Sequence, residues 1–267
     1  MIVFPNAKIN IGLNVVSRRA DGYHNLETIF YPVSLCDALE MVESDETRLT
    51  TSGIAIDGPL ENNLILKTYR LLQNEFSLPP VHFHLHKVIP FGAGLGGGSA
   101  DAAFALKILN KQFELKLGNS ELEVYAARIG ADCPFFIQNK PVFASGIGNE
   151  FQNIQLELSD YQIVILKPPF SVSTAEAYRS VIPSKPKFSL TEITSTAICD
   201  WKYLVVNDFE KSIFQKYPHI ADLKQLLYDL GASFASLSGS GSAVFGIFRH
   251  LPVLPEDKIP AGIYIYR

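Results

Sequence analysis

Pro90-Phe91-Gly92-Ala93-Gly94-Leu95-Gly96-Gly97-Gly98-Ser99-Ala100-Asp101-Ala102-Ala103 is a glycine-dense turn that runs straight into an alanine-rich, helix-forming stretch, and its reading decides the fold. Five glycines between Gly92 and Gly98 remove Cβ atoms that would hold a ligand off the backbone. They also permit positive φ where the chain must curl. Ser99 and Asp101 fall where a helix would begin, so unpaired N–H groups and the positive end of the helix dipole would face whatever the loop surrounds. The guest that suits such a cradle is a phosphate chain. Residues 81–88 read as a strand and residues 99–110 as a helix, which separates the segment from a glycine linker.

Gly92, Gly94 and Gly97 satisfy the Gly-x-Gly-x-x-Gly dinucleotide fingerprint. A Rossmann unit, however, should continue to a strand ending in an acidic residue about 20 positions on, where this chain has Leu115, Lys116, Leu117 and Gly118. A Walker loop needs lysine and then Ser or Thr after its last glycines, and Gly98 stands where that lysine should be. A protein-kinase glycine loop would be followed by catalytic motifs that the chain lacks. The cradle belongs to another class.

The 267 residues are 47% hydrophobic, enough for one large core or two moderate ones. Two domains are expected, residues 1–155 and 156–267, because Pro168, Pro169, Pro183 and Pro186 punctuate the chain after a buried-type strand at 161–166. A net charge of −4 argues against nonspecific nucleic-acid binding. Cys36, Cys133 and Cys199 fit neither a disulfide framework nor a zinc site, so a reducing cytoplasm is the expected setting. No window approaches the roughly 20 apolar residues of a membrane span, and no membrane association is expected. Residues 9–15 and 26–33 read as strands around a polar turn, 62–76 and 220–230 as helices, and 243–248 as a strand. Ser120 with Glu123 suggests a capping box for a helix stopped by Gly130, after which Asp132 would cap the next helix. This irregular mixture favours an α+β fold.

Lys8 and Asn10 share one face of the first strand, opposite Ile9 and Ile11. The plain reading is the solvated face of a half-exposed strand; a functional reading needs a partner. His82, His84 and His86 invite a metal reading, but at about 3.3 Å per residue the outer two lie about 13 Å apart. A polar strand face suits them better. Tyr178, in a short helical patch at 174–178, reads as a buried aromatic or as part of a ligand pocket.

Together, the Lys8 strand, residues 90–103 and the Gly239 to Ser242 loop resemble the signature set of the GHMP small-molecule kinases. Ala7-Lys8-Ile9-Asn10, Arg19-Ala20-Asp21-Gly22-Tyr23-His24 and Gly130-Ala131-Asp132-Cys133-Pro134-Phe135-Phe136 resemble the branch of that family whose acceptor carries a cytidyl diphosphate. The resemblance implies a two-domain α+β fold with the active site in the cleft between domains, and transfer of the γ-phosphoryl group of ATP to a polyol hydroxyl. On this reading Asp132 accepts the hydroxyl proton while Lys8 keeps that carboxylate ionised and helps orient the hydroxyl. Pro90, Phe91, Gly92, Ala93, Gly94, Leu95, Gly96, Gly97, Gly98, Ser99 and Ala100 hold ATP, with Ser99 on a phosphate oxygen or the magnesium ion. Asn63 and Lys87 lie near the adenine. Asn10, Tyr23, His24, Thr174 and Tyr178 surround the cytidyl end, where aromatic rings suit a flat base. The implied partner is a small cytidyl diphosphate, with no nucleic acid or membrane, for a monomer or homodimer. Relatives often carry paired serines where this chain has Ser99-Ala100. Another small alcohol as acceptor, or a nucleotide-binding regulator without catalysis, is the competing reading.

Overall fold

The computed structural model describes residues 1–255 and 258–267. In chain order its strands are β1 (Ile2–Val3), β2 (Asn6–Arg18), β3 (His24–Cys36), β4 (Ala38–Glu43), β5 (Arg48–Gly53), β6 (Val81–Lys87), β7 (Val142–Ser145), β8 (Glu150–Asn153), β9 (Gln162–Lys167), β10 (Phe234–Leu237), β11 (Val244–Phe248) and β12 (Tyr264–Tyr266). The helices are α1 (Leu64–Phe76), α2 (Gly97–Gln112), α3 (Asn119–Ile129), α4 (Phe135–Gln138), α5 (Thr174–Arg179), α6 (Trp201–Leu204), α7 (Glu210–Lys216) and α8 (Pro218–Asp229). The architecture is α+β, as the irregular order of elements implies.

Two compact units divide the chain. One holds Met1–Ala7, Ser34–Pro90 and Gly96–Lys140; the other holds Lys8–Val33, Phe91–Leu95 and Pro141–Arg267. This division by contacts is not a single cut near residue 155. The reason is pairing: β3 joins β7 antiparallel, with Thr28 opposite Ala144, so the first long strands belong with residues far downstream.

In the first unit the sheet order is β1-β4-β6-β5, with β4 antiparallel and β5 parallel to β6. Leu39, Met41, Leu49, Phe83 and Leu85 are buried on one face, as period-two alternation requires. On the other face Thr50 Oγ1 lies 2.8 Å from His82 Nε2 and 2.9 Å from His84 Nδ1, and Ser52 Oγ lies 3.0 Å from both His84 Nε2 and His86 Nδ1. The histidines form a hydroxyl-bonded polar face; among the described residues no cluster of His, Cys, Asp or Glu is placed to hold a metal. α1 buries Ile65, Leu66, Tyr69 and Leu72 at helical spacing. The small residues Ala100, Ala102, Ala103 and Ala105 are buried along α2, which packs against α1.

Two capping expectations fail. α3 starts two residues earlier than a Ser120 cap would allow, with Gly118 at its N-cap, and its entry is held by the Gly118 N–H donating to the Glu121 carboxylate at 2.8 Å. Asp132 lies in a turn before α4, whose N-cap position is occupied by Pro134.

The second unit contains two sheets, ordered β2-β3-β7-β8 and β10-β11-β9-β12. The Leu13 N–H donates to the Val206 carbonyl at 2.9 Å and the Asp208 N–H to the Leu13 carbonyl at 2.8 Å, tying β2 to the segment before α7. Leu13, Val15, Val164, Leu166, Phe209 and Leu237 share a core with Ile220, Leu223 and Leu227 of α8. Within the stretch at 180–206, which offers few sequence signals, Leu190, Ile193 and Trp201 are buried, with Trp201 edge-on to Phe234 at 5.7 Å.

Candidate active site

The glycine loop supplies residues to both units. Gly92, Gly94 and Gly96 have φ of +57°, +73° and +71°, the left-handed region that glycine occupies without a Cβ penalty. Gly92 and Gly94, however, make room for protein rather than ligand. A methyl group at Gly94 would overlap the Ser238 carbonyl oxygen, and one at Gly92 would lie 2.5 Å from Ser171 Cβ. The contact is hydrogen bonded throughout: Ser242 N–H to Gly92 O at 3.3 Å, Ala243 N–H to Ala93 O at 3.2 Å, and Ser238 Oγ to Gly94 O at 2.9 Å. Gly97 has no room for a side chain either, since a Cβ there would lie 2.7 Å from Ile89 and 2.9 Å from Lys87 Nζ. Gly98 is open, its nearest neighbour being Leu64 at 4.0 Å. Of the expected ATP-binding residues, Ala93, Leu95 and Ala100 are buried, so they offer backbone alone. Phe91 is exposed.

α2 begins at Gly97 with no side-chain cap, and its first completed backbone bond runs from the Ala100 N–H to the Gly96 carbonyl at 2.9 Å. The N–H groups of Gly97, Gly98 and Ser99 therefore end a 16-residue helix. That donor set fits a phosphate group. Burial pushes the Cys133 thiol up to about 12, with the neighbouring Ser99 pulling it the other way. The Ser99–Cys133 contact brings the first turn of α2 against the turn that carries Asp132.

In the second unit Lys8 and Asn10 are only 3% and 2% exposed, which overturns the solvated-face reading of their strand. The Lys8 ammonium donates to Asn10 Oδ1 at 2.5 Å and to the Gly94 carbonyl at 3.2 Å, and it lies 4.8 Å above the Phe30 ring. The Lys8 N–H reaches Leu95 O at 2.9 Å, so strand and glycine loop are joined through backbone as well. Asn10, expected on the substrate, has its amide engaged by Lys8 and by Thr28 Oγ1 at 3.0 Å.

The two residues expected near the adenine hold other partners. Asn63 caps α1, its side chain accepting the Ile65 N–H at 2.9 Å. Lys87 is wholly buried, its ammonium paired with Asp37 and, at 3.0 Å, with Asp101. These two carboxylates hold the ammonium within the first unit. Asp37 also accepts the N–H groups of Val88 and Ile89 at 2.6 and 2.8 Å, which holds the entry to the glycine loop. Burial raises the Asp101 carboxyl to about 8 against the opposing pull of Lys87, and Asp101 Oδ1 has no hydrogen-bond partner among the described residues. An acid whose folded pKa lies above its unfolded value binds more protons when folded, so its contribution to stability falls as pH rises between about 4 and 8. Asp101→Asn is expected to flatten that fall. Urea midpoints measured across this range for both proteins check it, and parallel curves would refute the assignment.

His24 stacks on Tyr178 with centroids 5.1 Å apart and planes 21° apart, and Tyr178 meets Phe209 edge-on at 4.9 Å. These two expected substrate residues are thus together. Tyr23 is 62% exposed, its N–H held by Asp21 Oδ1 at 3.1 Å. Thr174 Oγ1 lies 3.2 Å from Ser240 Oγ. Sequence reasoning missed Asp37, Thr28 and Ser238 as individuals. Ser238 had a signal, the Ser-Gly-Ser-Gly-Ser run; Asp37 and Thr28 sit in ordinary strand context.

Two family models match the chain, one described as the GHMP kinases N terminal domain over residues 63–140 and one as GHMP kinases C terminal over residues 200–257. The chain belongs to the GHMP kinase family. A 4-diphosphocytidyl-2-C-methyl-D-erythritol kinase of Parabacteroides distasonis is 55% identical over 266 residues, covering 100% of this chain and 98% of the relative. The kinase of the same name from Bacteroides fragilis is 54% identical over 97% of this chain and 94% of its own. A crystal structure of 4-(cytidine 5'-diphospho)-2C-methyl-D-erythritol kinase matches with a TM-score of 0.80 at 31% identity, covering 92% of this chain and 90% of that one. Mevalonate kinase of Methanococcus jannaschii shares the fold, with a TM-score of 0.66 at 15% identity over 93% of this chain and 90% of its own.

Proposed function

We propose that the chain transfers the γ-phosphoryl group of ATP to the 2-hydroxyl of 4-diphosphocytidyl-2-C-methyl-D-erythritol, releasing ADP and the 2-phosphate. The observation that carries this reading is the 55% identity over the whole chain to a kinase of that name. The buried Lys8 ammonium and the uncapped α2 N-terminus give it a physical basis. Asp132 takes the proton of the attacking hydroxyl, and Lys8 supplies fixed positive charge to the reacting oxygens. The amides of Gly97, Gly98 and Ser99 bind phosphate oxygens, so charge is stabilised by groups that need no reorganisation. No loop lysine is required.

Magnesium commonly rests on substrate phosphates, water and one or two protein oxygens, so a hydroxyl beside the phosphate-binding amides suits it. The Ser99 hydroxyl would be one such oxygen. Bound magnesium would neutralise charge between the β- and γ-phosphates. His24, Tyr178, Tyr23 and Thr174 receive the cytidyl end, with the rings offering flat apolar surface and His24 a polar edge. We keep residues 1–155 and 156–267 as domains in the sense of the two family segments, which fall on either side of residue 155. Among the described residues no helix is long and apolar enough to cross a membrane; we place the reaction in the cytoplasm.

A coupled ADP-release assay with magnesium ATP tests the reading by comparing the cytidyl-methylerythritol substrate with mevalonate, homoserine and galactose. Turnover is expected with the cytidyl substrate. Preference for any of the other three would overturn it.

A further inference from the structure

We infer that Thr28 is a positioning residue for phosphoryl transfer, acting through the Asn10 amide on Lys8; this rests on the role given to Lys8 above. The direction of every hydrogen bond in the relay follows from its far end. The Gly12 carbonyl can only accept, so the Thr28 hydroxyl, 2.6 Å away, donates its one hydrogen there. Toward Asn10, 3.0 Å away, that hydroxyl must then accept, which turns the Asn10 NH2 group to Thr28 and its Oδ1 to Lys8. An ammonium can only donate, so this is the orientation that Lys8 requires. With the amide reversed, NH2 would face ammonium and a buried donor would lose its acceptor, an arrangement that costs much more in the core than in water.

Burial makes the relay decisive. Thr28 is 0% exposed, and Asn10 and Lys8 are nearly so, leaving solvent little opportunity to replace a lost partner. The relay is anchored in backbone. Gly12 has φ of +69°, and a Cβ there would lie 2.7 Å from Leu190 and 2.9 Å from Val205, so the direction of its carbonyl depends on glycine at this position. Ser238 provides a second arm: its hydroxyl accepts the Asn10 N–H at 3.3 Å and donates to Gly94 O, the same carbonyl that Lys8 reaches. A lysine side chain has many rotamers. Here Lys8 is held in one place before substrate arrives, which is the kind of preorganisation whose loss slows chemistry more than binding.

The test compares Thr28→Val, which keeps the shape and loses the hydroxyl, with Thr28→Ser, which keeps the hydroxyl. Steady-state kinetics with magnesium ATP and the cytidyl-methylerythritol substrate are expected to show kcat for Thr28→Val lowered about 10- to 100-fold, the scale of a small misplacement of a reacting group. The KM for ATP should change little. Thr28→Ser should recover most of the lost kcat, a rescue that a purely space-filling role would not produce. Wild-type kcat in a folded Thr28→Val protein overturns the proposal, as does failure of Thr28→Ser to rescue. If Thr28→Val does not fold, Thr28→Cys replaces it, because a thiol is weak at both ends of the relay; wild-type kcat in that protein overturns the proposal equally. Absence of turnover in the wild-type protein would instead refute the functional reading, so the two failures are distinct.

Discussion

Asp132→Asn is expected to lower turnover by at least about 100-fold, the usual scale for losing a general base, while the protein still folds. The substitution keeps the size of the side chain and removes its ability to hold a proton. Folding should tolerate it because the residue is only partly buried and does not cap a helix: the N-cap position of α4 is Pro134, and the turn is closed by the Cys133 N–H donating to the Gly130 carbonyl at 3.1 Å. The Ser99 contact with Cys133 should survive as well, so the α2 N-terminus keeps its neighbour. ADP release measures the loss, and the urea midpoint confirms the fold. Near-normal turnover would remove Asp132 from the role of base.

Gly94→Ala is expected to abolish measurable turnover and to lower the melting temperature. The left-handed conformation, φ +73°, costs an alanine about 1–2 kcal/mol even in open space. Here the space is not open, because the new methyl group would overlap a backbone oxygen of Ser238, which cannot swing aside as a side-chain tip would. Relief requires the loop to pull away from Ser238, and the Gly94 carbonyl that receives both Lys8 and Ser238 would move with it. Gly98→Ala is the informative comparison. It meets nothing closer than 4.0 Å and should fold like wild type, so any rise in its KM for ATP reports on the approach of nucleotide to backbone. Activity in Gly94→Ala within a few-fold of wild type would mean that the loop adapts.

These two glycines show where sequence reading stops. Their density and their place between a strand and a helix mark a phosphate cradle, because turn chemistry and helix ends are local properties of the chain. Which neighbour each hydrogen atom faces is not local. Gly92 and Gly94 are pressed against Ser171 and Ser238, and Gly97 against Ile89 and Lys87, whereas Gly98 is open. The capping of α1 by Asn63 is equally local, whereas the capping of α3 was misread because Gly118 and Ser120 both lie within a turn of its start. Lys87 carried no sign of its buried partners: Asp37 lies far from it in sequence, and no periodicity connects them.

The sequence by itself determined the class of protein, since the motifs around Lys8, Gly92 to Ser99 and Asp132 are short, local and specific. It also determined most strands and long helices, because alternation and helical spacing are written along the chain. Only the tertiary structure decided that Lys8 and Asn10 are buried rather than solvated, that Asn10 serves Lys8 through Thr28, and that the early strands belong with residues beyond 141. Period-two alternation says which side chains share a face, but burial and hydrogen-bond direction depend on what covers that face. Here the cover comes from segments distant in sequence, among them the loops that contribute Gly94, Leu95 and Ser238.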